Sequence, residues 1–326
     1  MASLKSLAKD TAIYGMSSII GRFLNYLLVP LYTAKISAAS GGYGVITNMY
    51  AYTALILVIL TYGMETTFFR FVNKEEENSE KVYHTVLCMV GTTSLLFIAL
   101  VFLFISPLSN MMGYADHPAY VWTMFVTVAI DAFQCIPFAY LRFKKRPLKF
   151  AAFKLLFIGM NILLNIVYYV FMDGHDVGYA FYINLVCTAS ITFCFYKEII
   201  EGFRGEKASW AETKVLIKKM LGYSWPILVL GIAGILNQTA DKILFPYIYK
   251  GANAHEQLGI YGAASKIAMI MAMITQAFRF AYEPFVFGNA KEKDNRKMYA
   301  SAMKYFVIFT LLAFLVVVGY MDLLRH

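Results

Sequence analysis

The 326-residue sequence is poor in charge: only 15% of its residues are Asp, Glu, Lys or Arg, whereas 60% are hydrophobic. A soluble domain carries about 25% charged residues, so this composition excludes an ordinary soluble enzyme. The four cysteines and five histidines have no ligand-type spacing, which excludes a disulfide framework and a zinc site. The sequence also lacks Walker, HExxH and GxSxG motifs, and we expect neither an enzyme nor a cofactor.

Long apolar runs are what the sequence has instead, and they exclude the short alternating strands of an outer-membrane barrel. Nine runs reach the roughly 20 residues that a spanning helix needs. We therefore predict an all-α polytopic membrane protein with about nine transmembrane helices. The predicted spans are residues 9–35, 43–72, 82–106, 118–142, 148–172, 176–199, 221–249, 258–288 and 301–321.

Basic residues are distributed unevenly between alternate connections. Of the 29 Lys and Arg residues, 21 lie in connections on one side of the predicted membrane, three on the other side and five within spans. Basic residues concentrate in cytoplasmic loops. The sequence therefore predicts a multi-pass protein of the inner membrane with its N-terminus in the cytoplasm.

Four short motifs of the first three spans recur in the same order 216–218 residues later. The pairs are Pro30–Tyr32 with Pro246–Tyr249, Tyr43–Gly44 with Tyr261–Gly262, Glu65–Phe69 with Glu283–Phe287, and Lys81–Tyr83 with Lys297–Tyr299. Because six spans separate the copies, both copies have the same orientation. This indicates a parallel repeat about an axis along the membrane normal, as in two-lobed transporters.

The repeat predicts a complete six-helix N-lobe at residues 1–199 and the first three helices of a C-lobe at residues 221–326. Because the second copy ends after three spans, we expect a C-terminally truncated piece of a protein with twelve or more spans. In the connection at residues 200–220, Ser209 and Glu212 have capping-box spacing. We predict there a short amphipathic helix on the cytoplasmic membrane surface, with a solvated linker as the alternative.

Polar side chains at membrane depth are the candidate functional residues, since ionisable groups there usually face a cavity or a partner. Arg22 and Asn25 share one face of the first span and align, at an offset of 216, with Gln238 and Asp241 of the seventh. Asp131 lies near the middle of the fourth span. The other intramembrane candidates are Asn48, Asn237, Lys242, Lys266 and Arg279.

Each candidate has a structural alternative. Asp241 and Lys242 could neutralise each other at the outer rim. Arg22 could form a structural bridge with Asp131, and Arg279 could pair with Glu283 four residues later.

Several motifs of the sequence resemble one known family. They are Tyr14-Gly15, Arg22, Pro30-Leu-Tyr32, Gly42-Tyr-Gly-Val45, Gly63–Phe71, Leu221–Pro226, Asn237–Lys242, Gly259–Lys266 and Glu283-Pro-Phe285. Together they are similar to the bacterial polysaccharide-export flippases of the multidrug/oligosaccharidyl-lipid/polysaccharide (MOP) superfamily, over essentially the whole chain. Such proteins typically contain two bundles of six spans. Where relatives often carry Asp-Arg in the seventh span, this chain has Asp241-Lys242, which keeps the charge but loses a bidentate donor.

The resemblance implies that the protein moves undecaprenyl-pyrophosphate-linked oligosaccharide, an O-antigen, capsule or exopolysaccharide repeat unit, from the cytoplasmic to the periplasmic leaflet. It implies alternating access through a basic central cavity, with a polysaccharide polymerase and glycosyltransferases as partners in the pathway. The implied substrate-binding cations are Arg22, Lys242, Lys266 and Arg279. The implied donors to sugar or phosphate are Asn25, Asn48, Asn237 and Gln238.

Asp131 and Asp241 are the residues that would couple transport to a proton or Na⁺. Two alternatives stay open. One is a cation-coupled multidrug antiporter of the same fold, which would need an acidic and aromatic cavity. The other is an inactive membrane fragment.

Overall fold

The computed structural model describes residues 28–37, 41–73, 78–205, 209–251, 253–266, 268, 271 and 295–320. Every regular element in these residues is helical, which confirms the all-α prediction. The helices are α1 (Leu28–Lys35), α2 (Gly42–Thr61), α3 (Met64–Val72), α4 (Ser79–Leu103), α5 (Ile105–Met111), α6 (Pro118–Phe143), α7 (Pro147–Ile166, continued by a π-helical turn Val167–Phe171), α8 (Gly178–Cys194), α9 (Tyr196–Arg204), α10 (Trp210–Ile248), α11 (residues 254–266) and α12 (Asn295–Gly319).

Within the described ranges, five helical segments are long and apolar enough to cross a membrane. They are Gly42–Val72, Ser79–Leu103, Pro118–Phe143, Pro147–Phe171 and Trp210–Ile248. The pair α8 and α9 would add a sixth span, bent by 51°. The predicted spans at 9–35 and 258–288 lie largely outside the described residues, so the number of nine spans stays a prediction.

The second predicted span is broken in the middle. Tyr62 and Gly63 both adopt left-handed backbone conformations, with φ of 31° and 71°, between α2 and α3. Gly63 reaches this conformation without steric cost because it has no Cβ atom. A Cβ there would also lie 2.9 Å from a methyl carbon of Ile227 on α10, so the break brings α3 close to that helix.

The helix predicted after Ser209 is present, but it is not a separate element. Ser209 Oγ accepts a hydrogen bond from the Glu212 amide, and the Glu212 carboxylate accepts one from the Ser209 amide. The capping box is therefore formed as expected. From Trp210 the helix continues to Ile248, because Pro226 removes one backbone hydrogen bond without ending the helix. The structure thus has one 39-residue helix where the sequence suggested a surface helix followed by a span.

Helix α6 is the central helix of the first lobe. It packs against α2, α4, α7 and α8, and 72% of its apolar segment is buried. A residue in the middle of α6, such as Asp131, therefore lies inside the helix bundle and not against lipid.

Helices of the two predicted lobes meet closely at one end of the bundle. We call this end outer and the opposite end inner, following the orientation that the basic residues predict. At the outer end α2 crosses α11: a Cβ atom at Gly44 would lie 1.7 Å from the His255 carbonyl oxygen, and one at Gly262 would lie 2.4 Å from Thr47 Oγ1. Only residues without side chains allow this approach. We call this crossing the outer seam.

Candidate functional site

Two cavities lie between α10 and the first lobe. The inner cavity has a volume of about 780 Å³, and its polar lining is Thr61, Glu65, Thr66, Asp131, Gln134, Cys135, Arg142 and Lys154. The outer cavity has a volume of about 490 Å³, and its polar lining is Tyr32, Tyr43, Thr47, Tyr50, Asp131, Asn161, Asn184, Gln238, Thr239, Lys242, Ser265 and Lys266. Both volumes are in the range of small-ligand sites.

Asp131 and Phe157 line both cavities, so the cavities meet at mid-depth. Asp131 Oδ1 accepts a hydrogen bond of 3.2 Å from Thr188 Oγ1 on α8. On the same face of α6, Gln134 Nε2 donates to the Thr188 carbonyl oxygen at 2.7 Å and to Thr192 Oγ1 at 2.8 Å. These bonds fix α6 to α8 and orient the carboxylate at the junction of the cavities.

Lys154 brings a positive charge into the inner cavity. It lies in the second turn of α7, and its ammonium is 4.0 Å from the centroid of the Phe138 ring. Among the described residues it forms no ion pair within 4 Å. A cation over an aromatic face is only partly compensated, and the Asp131 carboxylate, which lines the same cavity, also attracts it.

Arg142 is the second cation of the inner cavity, and it lies at the inner rim. Its guanidinium pairs with the carboxylate of Glu65 on α3 and stands 4.8 Å over the Phe69 ring. The side chains of Arg142 and Glu65 are 31% and 45% exposed, so water still reaches the pair. The pair joins the inner end of α6 to the segment beyond the break in the second span.

In the outer cavity the predicted pairing of Asp241 with Lys242 is formed. Lys242 Nζ lies 3.0 Å from Asp241 Oδ2 and donates to the Gln238 carbonyl oxygen at 3.0 Å. The Asp241 carboxylate also accepts a hydrogen bond from the Tyr261 hydroxyl. Lys242 lines the outer cavity, whereas Asp241 lines a separate groove on the other side of α10.

Lys266 is the second cation of the outer cavity, and no described residue forms an ion pair with it. Gln238 lines the same cavity. Asn237, the preceding residue on α10, is exposed and lines none of the cavities found in the described part of the chain. The α10 polar stripe therefore contributes Gln238 and Lys242 to this cavity.

Asn48 occupies a different position from the one expected. It is only 1% exposed and does not line the outer cavity. Its Nδ2 donates to the Lys242 carbonyl oxygen at 2.8 Å, and its Oδ1 accepts from the Tyr114 hydroxyl at 2.8 Å. Because both ends of the amide are used, its geometry makes Asn48 a link between α2 and α10 and not an open donor.

Arg22, Asn25 and Arg279 lie outside the described residues, and so does the predicted bridge from Arg22 to Asp131. The structure also shows lining residues that the sequence analysis did not select, among them Arg142, Lys154, Asn161 and Asn184. Lys154 was detectable, because it is ionisable and lies within the predicted fifth span. The amides on α7 and α8 carried no such signal.

Comparisons with known proteins agree with this architecture. The family described as "Polysaccharide biosynthesis protein" matches residues 7–281. No curated protein sequence matches the chain at a significant level.

Several solved structures share the fold at low sequence identity. A MOP superfamily transporter from Pyrococcus furiosus, whose binding pocket is described as having reverse polarity, is 16% identical with a TM-score of 0.64; the match covers 99% of this chain and 74% of that one. An outward-facing multidrug resistance transporter of the MATE family is 14% identical with a TM-score of 0.60, covering 97% and 74%. A MATE protein in a bent conformation is 16% identical with a TM-score of 0.60, covering 100% and 75%.

Proposed function

Because the chain belongs to the polysaccharide biosynthesis protein family of the MOP exporter superfamily, we propose that it moves a lipid-linked oligosaccharide across the inner membrane of a bacterium. The substrate class is an oligosaccharide joined to a polyprenol by a diphosphate, transferred from the inner to the outer leaflet. A polymerase and glycosyltransferases of the same pathway would supply and use this substrate.

The observation that carries the proposal is the set of cations lining two adjoining cavities at membrane depth. Arg142 and Lys154 lie in the inner cavity, and Lys242 and Lys266 lie in the outer cavity. Burying a charge away from water is costly unless it is paired, yet Lys154 and Lys266 have no carboxylate within ion-pair distance among the described residues. The inner cavity holds the carboxylates Glu65 and Asp131 beside its two cations, so a diphosphate would bring its strong acceptor oxygens mainly to Lys154 and Lys266.

The order of the cations suggests a path. A diphosphate entering from the inner end would contact Arg142 and Lys154 first, pass the junction at Asp131, and reach Lys242 and Lys266 in the outer cavity. Gln238, Asn161 and Asn184 offer amides to sugar hydroxyls in the outer cavity. The polyprenyl chain has no need to enter either cavity and can remain in the bilayer.

Asp131 is the residue we propose for coupling to a proton or Na⁺. Its carboxylate is repelled by the substrate diphosphate and attracted by the cations that bind that diphosphate. Its charge state therefore affects how firmly the site holds the substrate. Asp241 is a weaker candidate, because Lys242 and Tyr261 already occupy its oxygens.

Transport into proteoliposomes tests the proposal. We would reconstitute the purified chain and follow a fluorescent disaccharide joined through a diphosphate to a short polyprenol, using a membrane-impermeant enzyme to detect the outer-leaflet fraction. We expect movement of this probe, a loss of at least tenfold for Lys154→Ala, and no change for Lys214→Ala, which removes an exposed lysine of α10 outside both cavities.

A lipophilic organic cation serves as the competing probe. Movement of that cation without movement of the diphosphate probe would assign the protein to multidrug export and overturn the proposal. The same applies if Lys154→Ala transports the diphosphate probe at the wild-type rate while protein abundance in the vesicles is equal.

A further inference from the structure

A further cavity lies at the outer end of the bundle, beside the outer seam. It has a volume of about 500 Å³, which is in the range of small-ligand sites. Gly41 and Val45 at the start of α2 line it, whereas Tyr43 and Thr47, on the other face of the same helix, line the outer cavity. Its other walls come from the connections before α6, α8 and α11 and from the first turns of α6 and α11. We call this cavity the seam pocket.

An aromatic platform forms part of the pocket wall. The rings of His117 and Tyr120 stack with their centroids 4.8 Å apart and their planes inclined by 10°. His117 is exposed, so Tyr120 covers one face of the imidazole and leaves the other face open to water. Nearer the seam, the rings of Tyr114 and His255 are in contact at 5.5 Å. Flat ring faces of this kind pack against apolar surfaces, such as the C–H face of a sugar ring.

Hydrogen-bonding groups of both kinds surround the platform. The Glu256 carboxylate forms no ion pair or hydrogen bond with a described residue. Asp176 uses Oδ1 to accept from a backbone amide at 2.8 Å and from the Tyr120 hydroxyl at 3.3 Å, which leaves its Oδ2 open as an acceptor. Asn253 uses Oδ1 to accept from the Tyr249 hydroxyl at 3.2 Å, so its Nδ2 group remains a donor.

This mixture of groups indicates the chemical class of the ligand. A hydroxyl group both donates and accepts, so a sugar can use the carboxylates and the amide together while its ring packs on the platform. An organic cation would use the carboxylates and the ring faces but not the amide donor. An anion would find no Lys or Arg among the lining residues. The histidines do not form a metal centre, because no three His, Cys, Asp or Glu side chains of the described residues are placed to hold one ion.

We propose that the seam pocket binds sugar residues of the exported oligosaccharide after they have passed the outer seam. This inference rests on the proposed function, because export is what brings sugars to the outer end. The first predicted lobe supplies the His117–Tyr120 platform and Asp176, and the second supplies Asn253 and Glu256. A glycan in the pocket would therefore contact both sides of the seam.

Saturation-transfer NMR tests this inference with sugars that carry no lipid and no diphosphate. The purified chain is placed in nanodiscs, which avoids detergents with sugar headgroups. The probes are oligosaccharides of one and two repeat units, released by mild acid from the surface polysaccharide of the source bacterium. We expect saturation of the aromatic protons of the protein to reach the ring C–H protons of the probe, because these protons would pack on the platform.

Variants show whether the signal arises in the seam pocket. His117→Ala should lower it at least fivefold, whereas Asp116→Ala, which removes the exposed carboxylate of the preceding residue outside the pocket lining, should leave it unchanged. His117→Phe keeps a flat ring without a nitrogen atom and should retain most of the signal. Glu256→Ala should weaken the signal several-fold. Because the Glu256 side chain holds no other described residue, this variant still decides if His117→Ala disturbs the start of α6.

Three results would overturn the proposal. The first is the absence of saturation transfer to the oligosaccharides at millimolar concentration. The second is equal transfer in the wild-type chain and in His117→Ala. The third is transfer to tetraphenylphosphonium that His117→Ala abolishes, with none to the oligosaccharides, which would indicate a site for organic cations.

The outcome is distinguishable from a failure of the proposed function, since binding of these probes requires no transport. If the wild-type chain moves the diphosphate probe in proteoliposomes but binds no oligosaccharide, the sugar site is wrong and the export proposal stands. If the oligosaccharide binds in a His117-dependent way but the diphosphate probe does not move, the sugar site is supported and the export proposal is wrong.

Discussion

Replacing Gly44 by alanine should force the outer seam apart. The added Cβ atom would lie 1.7 Å from the His255 carbonyl oxygen and 2.9 Å from the Gly259 amide nitrogen. Non-bonded carbon and oxygen atoms repel below about 3 Å, so α2 and α11 would have to separate by roughly 1 Å. Since the obstructing atoms belong to the backbone of α11, no side-chain rotation relieves the clash.

The cost of this overpacking is about 1–3 kcal/mol. If the transporter interconverts between states with the seam closed and open, such a cost changes their ratio by about 5- to 150-fold in favour of the open state. Gly159 on α7 is a matched control, because a Cβ there meets no atom within 4 Å. Gly159→Ala should leave the ratio unchanged and slightly favour the helix.

Disulfide formation across the seam measures this ratio. A Cβ at Gly262 would lie 3.1 Å from the Thr47 Cβ, close to the spacing of about 3.5–4.5 Å in disulfides. The double variant Thr47→Cys, Gly262→Cys should therefore cross-link rapidly on mild oxidation, and each single variant should show whether a native cysteine interferes. Adding Gly44→Ala should slow cross-linking at least fivefold, and adding Gly159→Ala should not. Equal rates in all three proteins would refute the close crossing of α2 and α11.

Three further outcomes are expected elsewhere in the chain. Burial lowers the pKa of His255 from its ordinary value of 6.5. Because the closed seam favours neutral His255, the stabilisation of the closed seam is complete above pH 6.5 and falls as the pH drops below that value. Seam cross-linking should therefore slow in acid, and His255→Asn should remove this pH dependence. Glu198, with a side chain only 1% exposed, holds Lys149 at 2.5 Å and Arg146 at 3.7 Å. Because both partners remain accessible to water, Glu198→Gln should cost about 1.5–3 kcal/mol in unfolding free energy, measured by thermal unfolding in detergent, whereas Asp173→Asn, which breaks the exposed pair with Lys35, should change little. A Cβ at Gly202 would lie 2.7 Å from Leu87 Cδ2 and 2.8 Å from the Tyr83 ring. Gly202→Ala should therefore lower the melting temperature, by about 2–4 °C for each kcal/mol of unfolding free energy that is lost. An unchanged melting temperature would contradict the packing of α9 on α4.

Most of the fold could be predicted from the sequence, because apolar length and the positions of basic residues are properties of the chain itself. The predicted spans at 43–72, 82–106, 118–142, 148–172 and 221–249 all coincide with helices long enough to cross a membrane. The positions at which helices bend or are interrupted could not be predicted in this way. The bend at Phe195 and the left-handed pair Tyr62–Gly63 depend on how neighbouring helices pack, and local sequence does not record that packing.

The candidate site could be predicted only in part, for a related reason. Depth in the membrane follows from position along a span, and this selected Asp131, Lys242 and Lys266, which line the cavities. Whether a side chain faces a cavity depends on the partner helix. Asn48 illustrates the difference: its depth is suitable, but Tyr114 and the Lys242 carbonyl occupy its amide.

The division of charge between the lobes has a mechanistic consequence. In the described residues the first lobe supplies the carboxylate at the junction together with Lys154 and Arg142, and the second lobe supplies Lys242 and Lys266. A diphosphate between them would attract cations from both predicted lobes and draw them together. Without it, Arg142 is paired with Glu65 and Lys242 with Asp241, which leaves Lys154 and Lys266 as the lining cations without an ion pair among the described residues. The proposed substrate would therefore favour the arrangement in which these two lysines approach it, and its release would remove that attraction. In this way a binding site shared by the two predicted lobes can couple substrate binding to their relative motion, without a separate regulatory element.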